Sequence, residues 1–378
     1  MIDTQLRAVF VDDRSVDKQY MDRLARANES KIKWSFLTPE KNVEDFSDML
    51  LAEKYDLIVL DYRLDEFPIH NSNHQIVNRY RAATLTQYLR EKSIKNPETD
   101  LPIVVVSHEP NVHEYYDPDL TAHDLFDYVY LKKDINSSSN GIAQQLFSLI
   151  ECYSKVRQFF ESGQRSIDLV NILQLEPEED AIIDFQEIQE IKKLFAPHQI
   201  VRCIYRIFVK QAGLLLSYED MLARLGFSYQ NSFDREKLEK ILENKKIKYT
   251  GIFSSGWPRW WRHRFDAWME ETIGNDWGAL TALDRTKKLN NALGLSFIPA
   301  LSRITNDSNF LCAVRCISCD QPTALMHAVP SYESRRYLFL EKQRVCWACV
   351  STGEYENRQI VLDVSANRTI ERLKKSGF

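Results

Sequence analysis

The sequence predicts a doubly wound α/β domain with a five-stranded parallel sheet, followed by a helical region and a small β-rich module. Three observations lead to this prediction. The first 150 residues alternate short apolar runs with amphipathic stretches, as βα units do. From about residue 165 to residue 247 the spacing of apolar residues is helical. The final part of the chain contains short apolar runs and two pairs of cysteines.

Five apolar runs supply the predicted strands: LRAVFVDD, IKWSFL, YDLIVLD, LPIVVVSHE and YVYLKKD. These runs are nearly continuous, which favours strands buried on both faces of a sheet. Helices are predicted at residues 16–27, 43–53, 80–91 and 141–160. Pro110 and Pro118 predict that the remaining helix, after the fourth strand, is short or displaced.

Length and composition indicate a globular protein of two or three domains. No apolar run approaches the roughly 20 residues that cross a bilayer. The acidic N-terminus differs from a signal peptide, which begins with basic residues. We therefore expect a cytoplasmic protein with no membrane partner. Seven cysteines, an odd number, argue against a disulfide framework.

Charge is divided unevenly along the chain. The net charge is −5 overall, but residues 1–150 carry 17 Lys and Arg against 25 Asp and Glu. Residues 191–378 carry 29 Lys and Arg against 19 Asp and Glu. An acidic first part and a basic second part suggest different partners for each. For the basic part, a nucleic-acid or acidic-protein partner and ordinary variation of a protein surface both remain open.

Polar side chains lie at the carboxyl ends of four predicted strands. They are Asp12 and Asp13, Asp61, Ser107, and the pair Lys132 and Lys133. The carboxyl ends of parallel strands meet at one edge of the sheet, where such folds bind ligands. Three carboxylates there repel one another unless a cation lies among them, and Mg²⁺ prefers oxygen ligands and phosphoryl groups. This pattern predicts a Mg²⁺ site facing a hydroxyl and an ammonium group.

This set of residues resembles the active site of response-regulator receiver domains, over roughly residues 5–155. The resemblance implies a flavodoxin-like receiver fold in which Asp61 accepts a phosphoryl group from a sensor histidine kinase or a phosphotransfer protein. It implies Mg²⁺ ligands from Asp12, Asp13, Asp61 and the backbone carbonyl of Arg63. Ser107 matches the hydroxyl residue that follows the phosphoryl group on activation.

The resemblance leaves two candidates for the site lysine. Receivers carry an aromatic switch residue three positions before their lysine. Counting back from Lys133 gives Tyr130, whereas counting back from Lys132 gives Val129. We therefore predict Lys133 as the site lysine and Tyr130 as the switch residue, with Lys132 as the alternative.

The sequence departs from the receiver pattern in two places. Asp134 stands where the family usually has a proline after the lysine. The segment RLDEFPIHNSNHQIVNRY, after Asp61, is longer than the usual short turn. We expect this insertion to gate access to Asp61 or to contact a partner. The fourth helix belongs to the usual receiver dimer face, so dimerisation is left open.

Two cysteine pairs near the C-terminus have the spacing of a zinc site. Cys316 and Cys319 form the first pair, and Cys346 and Cys349 form the second. Each C-x-x-C pair can bind one side of a tetrahedral Zn²⁺ ion, and a site of four thiolates is structural because it has no open position. Cys312 is an alternative ligand. A redox C-x-x-C motif would need a thioredoxin-like context, which the sequence lacks.

The stretch GWPRWWRHRFDAW interleaves tryptophan with arginine. Such a stretch could bind nucleic acid by stacking and phosphate contacts. The spacing of Trp257, Trp261, Phe265 and Trp268 instead favours one buried face of a helix. A winged helix-turn-helix over residues 198–253 is a further hypothesis. Its third helix is acidic, which opposes DNA binding.

The predicted domains are a receiver at 1–160, a helical domain at 161–250, an aromatic-rich helical segment at 251–305 and a four-cysteine zinc module at 306–378. The predicted function is a response-regulator-like signalling protein that relays phosphorylation of Asp61 to an output region binding a protein or nucleic acid. We expect no output enzyme, because no P-loop, G-x-S-x-G or metal-hydrolase histidine pattern is present. A DNA-binding transcription regulator, and a phosphoryl sink or decoy in a bacterial stress or phage-defence system, are the alternatives.

Overall fold

The computed structural model describes residues 5–27, 31–67, 69–71, 74–76, 79–163, 166–228, 234–304, 310–333 and 337–375. The chain forms two compact units. The first comprises residues 1–205 with 251–257, and the second comprises 206–250 with 258–378. These units differ from the four predicted ranges, because residues 161–205 pack with the sheet rather than apart from it.

The strands of the first unit are β1 (Leu6–Val11), β2 (Ile32–Leu37), β3 (Leu57–Leu60), β4 (Ile69–Asn71), β5 (His74–Ile76), β6 (Ile103–Ser107) and β7 (Tyr128–Leu131). Five of them form one parallel sheet in the order β2-β1-β3-β6-β7. This is the strand order of a flavodoxin-like doubly wound domain. The predicted five-stranded parallel sheet is therefore confirmed. β4 and β5 form a separate antiparallel hairpin within the insertion after Asp61.

The helices of the first unit are α1 (Lys18–Ala27), α2 (Val43–Ala52), α3 (Ala82–Lys95), α4 (Glu109–Asn111), α5 (Lys132–Glu161), α6 (Leu169–Leu173), α7 (Gln186–Gln189) and α8 (Pro197–Ile204). All four residues of β3 are fully buried, as the continuous apolar run predicts for a covered strand. α4 is a single turn that continues into a π-helical turn at Val112–Tyr116, so the prediction of a short fourth helix is confirmed.

Helix α5 begins directly after β7, nine residues earlier than predicted. Its backbone is interrupted at Ser138, where φ is −142° and ψ is 40°. The interruption separates a first turn next to the sheet edge from the long amphipathic part that begins near Gly141. Sequence periodicity identified only the long part, because the first turn consists mainly of polar residues.

A buried network of charged groups joins the helical region to the sheet. The Arg90 guanidinium lies 2.8 Å from Asp100 and 2.9 Å from Asp127. Asp127 also accepts a 2.7 Å hydrogen bond from the hydroxyl of Tyr153 in α5. Asp100 accepts a 2.7 Å hydrogen bond from the backbone N–H of His198, and the ring Nδ1 of His198 lies equally close. Because His198 belongs to α8, this network ties α8 to the five-stranded sheet.

Residues 251–257 also pack in the first unit. The backbone N–H of Phe253 donates to the buried sulfur of Cys152 in α5 at 3.2 Å. A Cβ atom on Gly256 would lie 2.8 Å from the Cα of Gln145 and from the Cβ of Ser148. Only glycine allows so close an approach between this segment and α5.

Among its described residues, the second unit contains six short strands and six α-helices. The strands are β8 (Leu215–Leu216), β9 (Trp260–Trp261), β10 (Cys312–Arg315), β11 (Pro322–Ala324), β12 (Ala328–Pro330) and β13 (Arg344–Cys346). They pair consecutively as three antiparallel two-stranded sheets. The helices are α9 (Tyr218–Leu225), α10 (Arg235–Asn244), α11 (Arg262–Ile273), α12 (Ala282–Leu293), α13 (Trp347–Thr352) and α14 (Ala366–Lys375).

The four aromatic residues predicted to be buried, Trp257, Trp261, Phe265 and Trp268, are all buried. The prediction that they share one helical face is wrong, because α11 begins only at Arg262 and Trp261 lies in β9. Trp257 packs in the first unit, whereas Trp268 belongs to the main core of the second. The helices of the hypothesised winged helix-turn-helix are likewise divided, with α8 in the first unit and α9 and α10 in the second.

The charged network predicts a measurable contribution to stability. Asp100→Asn should lower the free energy of unfolding by about 3 kcal/mol, because the buried Arg90 then loses a charged partner. Burial opposes the charge on Asp100, but Arg90 and His198 outweigh it and hold the pKa of this carboxyl below its ordinary value. The stabilisation is therefore present above the unfolded pKa of about 4 and is lost as the pH falls through the folded value.

Urea unfolding followed by circular dichroism measures this difference, and the difference should shrink toward about pH 3. The exposed Glu98 provides a matched control, because Glu98→Gln removes a nearby charge outside the network. We expect Glu98→Gln to change stability by less than about 0.5 kcal/mol. Equal unfolding midpoints for Asp100→Asn and the wild type would contradict the prediction.

Candidate functional site

The fold brings the predicted acidic residues together at the carboxyl edge of the sheet. Asp12 and Asp13 follow β1, Asp61 follows β3, and Ser107 ends β6. The three aspartates each place a carboxylate oxygen within 4.8 Å of the others, and all three are buried. The parallel sheet thus places these carboxylates together as the sequence predicts.

The lysine beside the three aspartates is Lys132, and not Lys133 as the sequence predicts. The ammonium nitrogen of Lys132 lies 2.8 Å from Asp12 Oδ2 and 3.1 Å from Asp61 Oδ1, and its side chain is 1% exposed. Lys133 is exposed and pairs with Glu109 at 2.5 Å. The physical reason is that β7 ends at Leu131 and α5 begins at once. Consecutive residues there point in different directions, and only Lys132 points over the end of the sheet.

Correcting the lysine also changes the position of the predicted switch residue. Three residues before Lys132 lies Val129, which packs against the core that includes Val105 and carries no aromatic ring. Tyr130 is buried, and its ring lies 4.5 Å from that of Tyr128. The count that selected Tyr130 as the switch residue therefore no longer applies.

Burial dominates the electrostatics of this site. It raises the pKa of Asp12 to about 7 and that of Asp13 to about 6. It also raises the pKa of Asp61, against the opposing effects of Lys132 and the Ser107 hydroxyl. Burial disfavours the ammonium of Lys132, but the carboxylates of Asp61 and Asp12 outweigh this effect and raise its pKa. The carboxylates outnumber the ammonium, so the site favours an additional cation.

The donor set fits Mg²⁺. One oxygen of Asp13, Oδ2, accepts hydrogen bonds from the backbone N–H groups of Glu66 and Phe67 at 2.9 and 2.7 Å. The other oxygen, Oδ1, is buried and has no hydrogen-bond partner among the described residues. A free buried carboxylate oxygen beside two further carboxylates matches the oxygen coordination of Mg²⁺. The backbone N–H of Arg63 donates to Asp61 at 3.1 Å, and the ligand role of the Arg63 carbonyl remains a prediction.

A fourth buried carboxylate was missed by the sequence reasoning. Asp17 ends the 3₁₀ turn at Ser15–Asp17, and its Oδ2 lies 2.8 Å from the ammonium nitrogen of Lys132. In the sequence it looks like an ordinary acidic residue at the start of α1. No spacing rule connects it with Lys132, because the contact spans 115 positions.

The start of the insertion after Asp61 lies over the site. Besides the two N–H groups bound to Asp13, the guanidinium of Arg14 lies 4.6 Å from the centre of the Phe67 ring. Arg63 pairs with Asp65 at 2.6 Å and lies 4.5 Å from the ring centre of Tyr115. The side chains of residues 68–78 lie outside the described residues, so the expected gating by the rest of the insertion stays a prediction.

The four predicted zinc ligands form a second cluster, in the second unit. Their sulfur atoms lie within 4.8 Å of one another. The backbone N–H groups of Cys346 and Ser318 lie 3.2 and 3.4 Å from the sulfur of Cys316. Such N–H groups stabilise a metal-bound thiolate, and four cysteine sulfurs at this spacing fit a tetrahedral Zn²⁺ site. Cys312 is buried in β10 and is not a member of the cluster.

The solved structures that resemble part of this chain include response-regulator receiver domains. The signal receiver domain of NarL from Mycobacterium tuberculosis is 13% identical, with a TM-score of 0.27, and the match covers 40% of this chain and 97% of that one. A response regulator from Hahella chejuensis is 18% identical, with a TM-score of 0.26, and the match covers 40% of this chain and 97% of that one. A CheY-like receiver domain from Methylobacillus flagellatus is 17% identical, with a TM-score of 0.24, and the match covers 36% of this chain and 99% of that one.

No protein-family model matches the chain, and neither does any curated protein. In the described part of the chain, no helix combines the length and apolar character needed to span a membrane.

The acidic site predicts pH-dependent binding of Mg²⁺. At about ten times its Kd, Mg²⁺ should add about 1.4 kcal/mol to the stability of the wild type. Raised pKa values mean that protons compete with the metal at Asp12 and Asp13 as the pH falls through about 7 and 6. Without metal, the folded protein loses stability as the pH rises from about 4 to about 7, because these two carboxyls hold their protons more tightly in the folded than in the unfolded state. The increment from Mg²⁺ should therefore be larger at pH 7.5 than at pH 5.5.

Thermal unfolding with and without Mg²⁺ at the two pH values tests this prediction. Asp13→Asn should lose most of the stability that Mg²⁺ adds. Asp65→Asn should keep it, because the Asp65 carboxylate pairs with Arg63 and not with the metal site. An increment that is independent of pH would contradict the assignment of the aspartates as ligands.

The cysteine cluster predicts one tightly bound Zn²⁺ ion per chain. Elemental analysis of the purified protein should find zinc at about one equivalent, and Cys319→Ser should lose most of it because three thiolates bind zinc less tightly than four. Cys312→Ala is the control and should retain zinc. Loss of zinc in Cys312→Ala but not in Cys319→Ser would identify Cys312 as the ligand instead.

Proposed function

We propose that this protein is a response-regulator-like signalling protein in which Asp61 accepts a phosphoryl group from a sensor histidine kinase or a phosphotransfer protein. The observation that carries this proposal is the buried group of Asp12, Asp13 and Asp61, which a buried ammonium, that of Lys132, contacts at the carboxyl edge of a doubly wound sheet. Buried ion pairs often stabilise a fold no more than apolar residues of similar volume would, so this cluster is better explained by a function than by stability.

The proposed reaction is an in-line transfer. A carboxylate oxygen of Asp61 forms a bond to phosphorus while the phosphorus–nitrogen bond of the donor phosphohistidine breaks. The electron pair of the broken bond stays on the imidazole nitrogen, which takes up a proton from water. Bound Mg²⁺ would neutralise charge on the transferred oxygens. The ammonium of Lys132, which contacts Asp61, would bind a phosphoryl oxygen, and the Ser107 hydroxyl, which also interacts with Asp61, would bind another.

We propose that strand β7 relays the phosphorylated state to the rest of the chain. Lys132 follows the strand directly, and Tyr128 within it contacts two other aromatic rings of the first unit. Ring centres lie 5.7 Å apart for Tyr128 and Tyr205, and 5.8 Å apart for Tyr128 and Trp257. A movement of Lys132 toward a phosphoryl group would thus act on the segment 251–257, which continues into the second unit at both ends.

The second unit would then act as the output region and bind a protein or a nucleic acid. Its support is the positive charge balance of this unit, because residues 206–250 and 258–378 carry 26 Lys and Arg against 19 Asp and Glu. The four-cysteine cluster would hold zinc for structural purposes, since four thiolates leave no open coordination position.

The test is phosphorylation by a small-molecule donor. With acetyl phosphate and Mg²⁺, the intact mass of the wild type should rise by one phosphoryl group, and that of Asp61→Asn should not. Asp65→Asn is the matched control on the same loop and should behave as the wild type. Equal labelling of Asp61→Asn would place the acceptor elsewhere.

The same samples test the relay. Hydrogen exchange of residues 251–257 should change in rate when the wild type is phosphorylated and should stay constant in Asp61→Asn. An unchanged rate in phosphorylated protein would leave Asp61 as the acceptor but remove this segment from the relay.

A further inference from the structure

The second carboxylate partner of Lys132 is the feature that the proposed phosphotransfer does not use. Asp17 Oδ2 lies 2.8 Å from the Lys132 nitrogen, the same distance as Asp12 Oδ2. The Asp17 side chain is only 4% exposed. Weaker contacts also orient this carboxylate, because His108 Nε2 lies 3.6 Å away and Arg14 Nε lies 3.9 Å away. Asp17 is therefore fixed at the ammonium rather than turned toward solvent.

The ammonium of Lys132 has three N–H groups and three carboxylate partners. Two of the partners, Asp12 and Asp61, belong to the acidic triad and would also contact the metal or carry the phosphoryl group. Asp17 is outside the triad, so neither metal binding nor phosphorylation occupies its carboxylate. A phosphoryl group at Asp61 would therefore meet a lysine whose charge Asp17 already partly neutralises.

We propose that Asp17 is a positioning residue that competes with the phosphoryl group for Lys132 and so weakens phosphoryl binding at Asp61. This inference rests on the proposed function, since it concerns the same lysine. Asp17 holds the ammonium inside the site before phosphorylation. The bond that holds it there must be shared or broken when Lys132 binds the phosphoryl oxygens.

Beryllofluoride, a stable mimic of the phosphoryl group, measures this competition. At saturating Mg²⁺, Asp17→Asn should bind beryllofluoride at least about fivefold more tightly than the wild type, because one competing charge is removed. Its affinity for Mg²⁺ alone should be equal or lower, because a negative charge near the metal is lost. Tighter binding of beryllofluoride without tighter binding of Mg²⁺ distinguishes competition from structural damage, which would weaken the binding of both.

Two variants complete the experiment. Asp17→Ser also removes the charge while keeping a polar residue in the turn, and it should likewise tighten beryllofluoride binding if Asp17→Asn does not fold. Asp65→Asn removes a carboxylate that pairs with Arg63 rather than Lys132, and it should change the affinity by less than about twofold.

The outcomes separate the two proposals. A wild type that binds no beryllofluoride with Mg²⁺ would overturn the proposed function. A wild type that binds it, together with folded Asp17 variants that bind it equally or more weakly, would overturn only the role of Asp17.

Discussion

The buried ammonium of Lys132 is the interaction on which the acidic site depends. Ionised carboxylates are costly to bury unless a nearby charge or hydrogen bonds compensate them. Lys132 contacts Asp12, Asp17 and Asp61, while Asp13 receives two backbone N–H groups from the loop that follows Asp61. This compensation is incomplete, so the site retains negative charge. The remaining negative charge at this edge of the sheet favours binding of a divalent cation. The ammonium lies there because α5 begins directly after β7.

The first unit extends beyond a minimal doubly wound domain because a second group of buried charges joins α8 to it. Arg90 is buried between Asp100 and Asp127, and Asp100 also binds the start of α8 through His198. The helical region after α5 thus completes a charged network that the sheet alone would leave partly exposed. Gly256 adds a second attachment, because its missing side chain lets residues 251–257 lie against α5. The aromatic side chain of Tyr128 on the edge strand is consequently packed against rings of the chain itself.

The second unit combines an aromatic core with strands of two to four residues. Strands this short cannot bury enough apolar surface to hold themselves together, and two-stranded sheets are marginal in water. The four cysteines lie next to β10 and in or beside β13, where the supporting core is small. A structural metal at this position would supply stability that side-chain packing does not, as it does in other small modules. Arg303 lies 3.1 Å from the sulfur of Cys349 and partly offsets the charge that four thiolates would carry.

The sequence by itself determined the doubly wound sheet, the meeting of Asp12, Asp13 and Asp61, the burial of the tryptophans and the grouping of the four cysteines. The sheet and the meeting of the aspartates follow from periodicity and from the rule that parallel strands end at one edge. The grouping of the cysteines follows from the spacing of the two C-x-x-C pairs. The tryptophans are buried as predicted, although they do not share the single helical face from which their burial was predicted. Tertiary structure decided the rest: Lys132 rather than Lys133, the contact of Asp17, and the packing of residues 161–205 and 251–257 with the sheet. Each of these depends on the direction of a single side chain or on a contact between residues far apart in sequence. Neither adjacent lysines nor a lone aspartate carries a repeating signal, so only the packed chain distinguishes them.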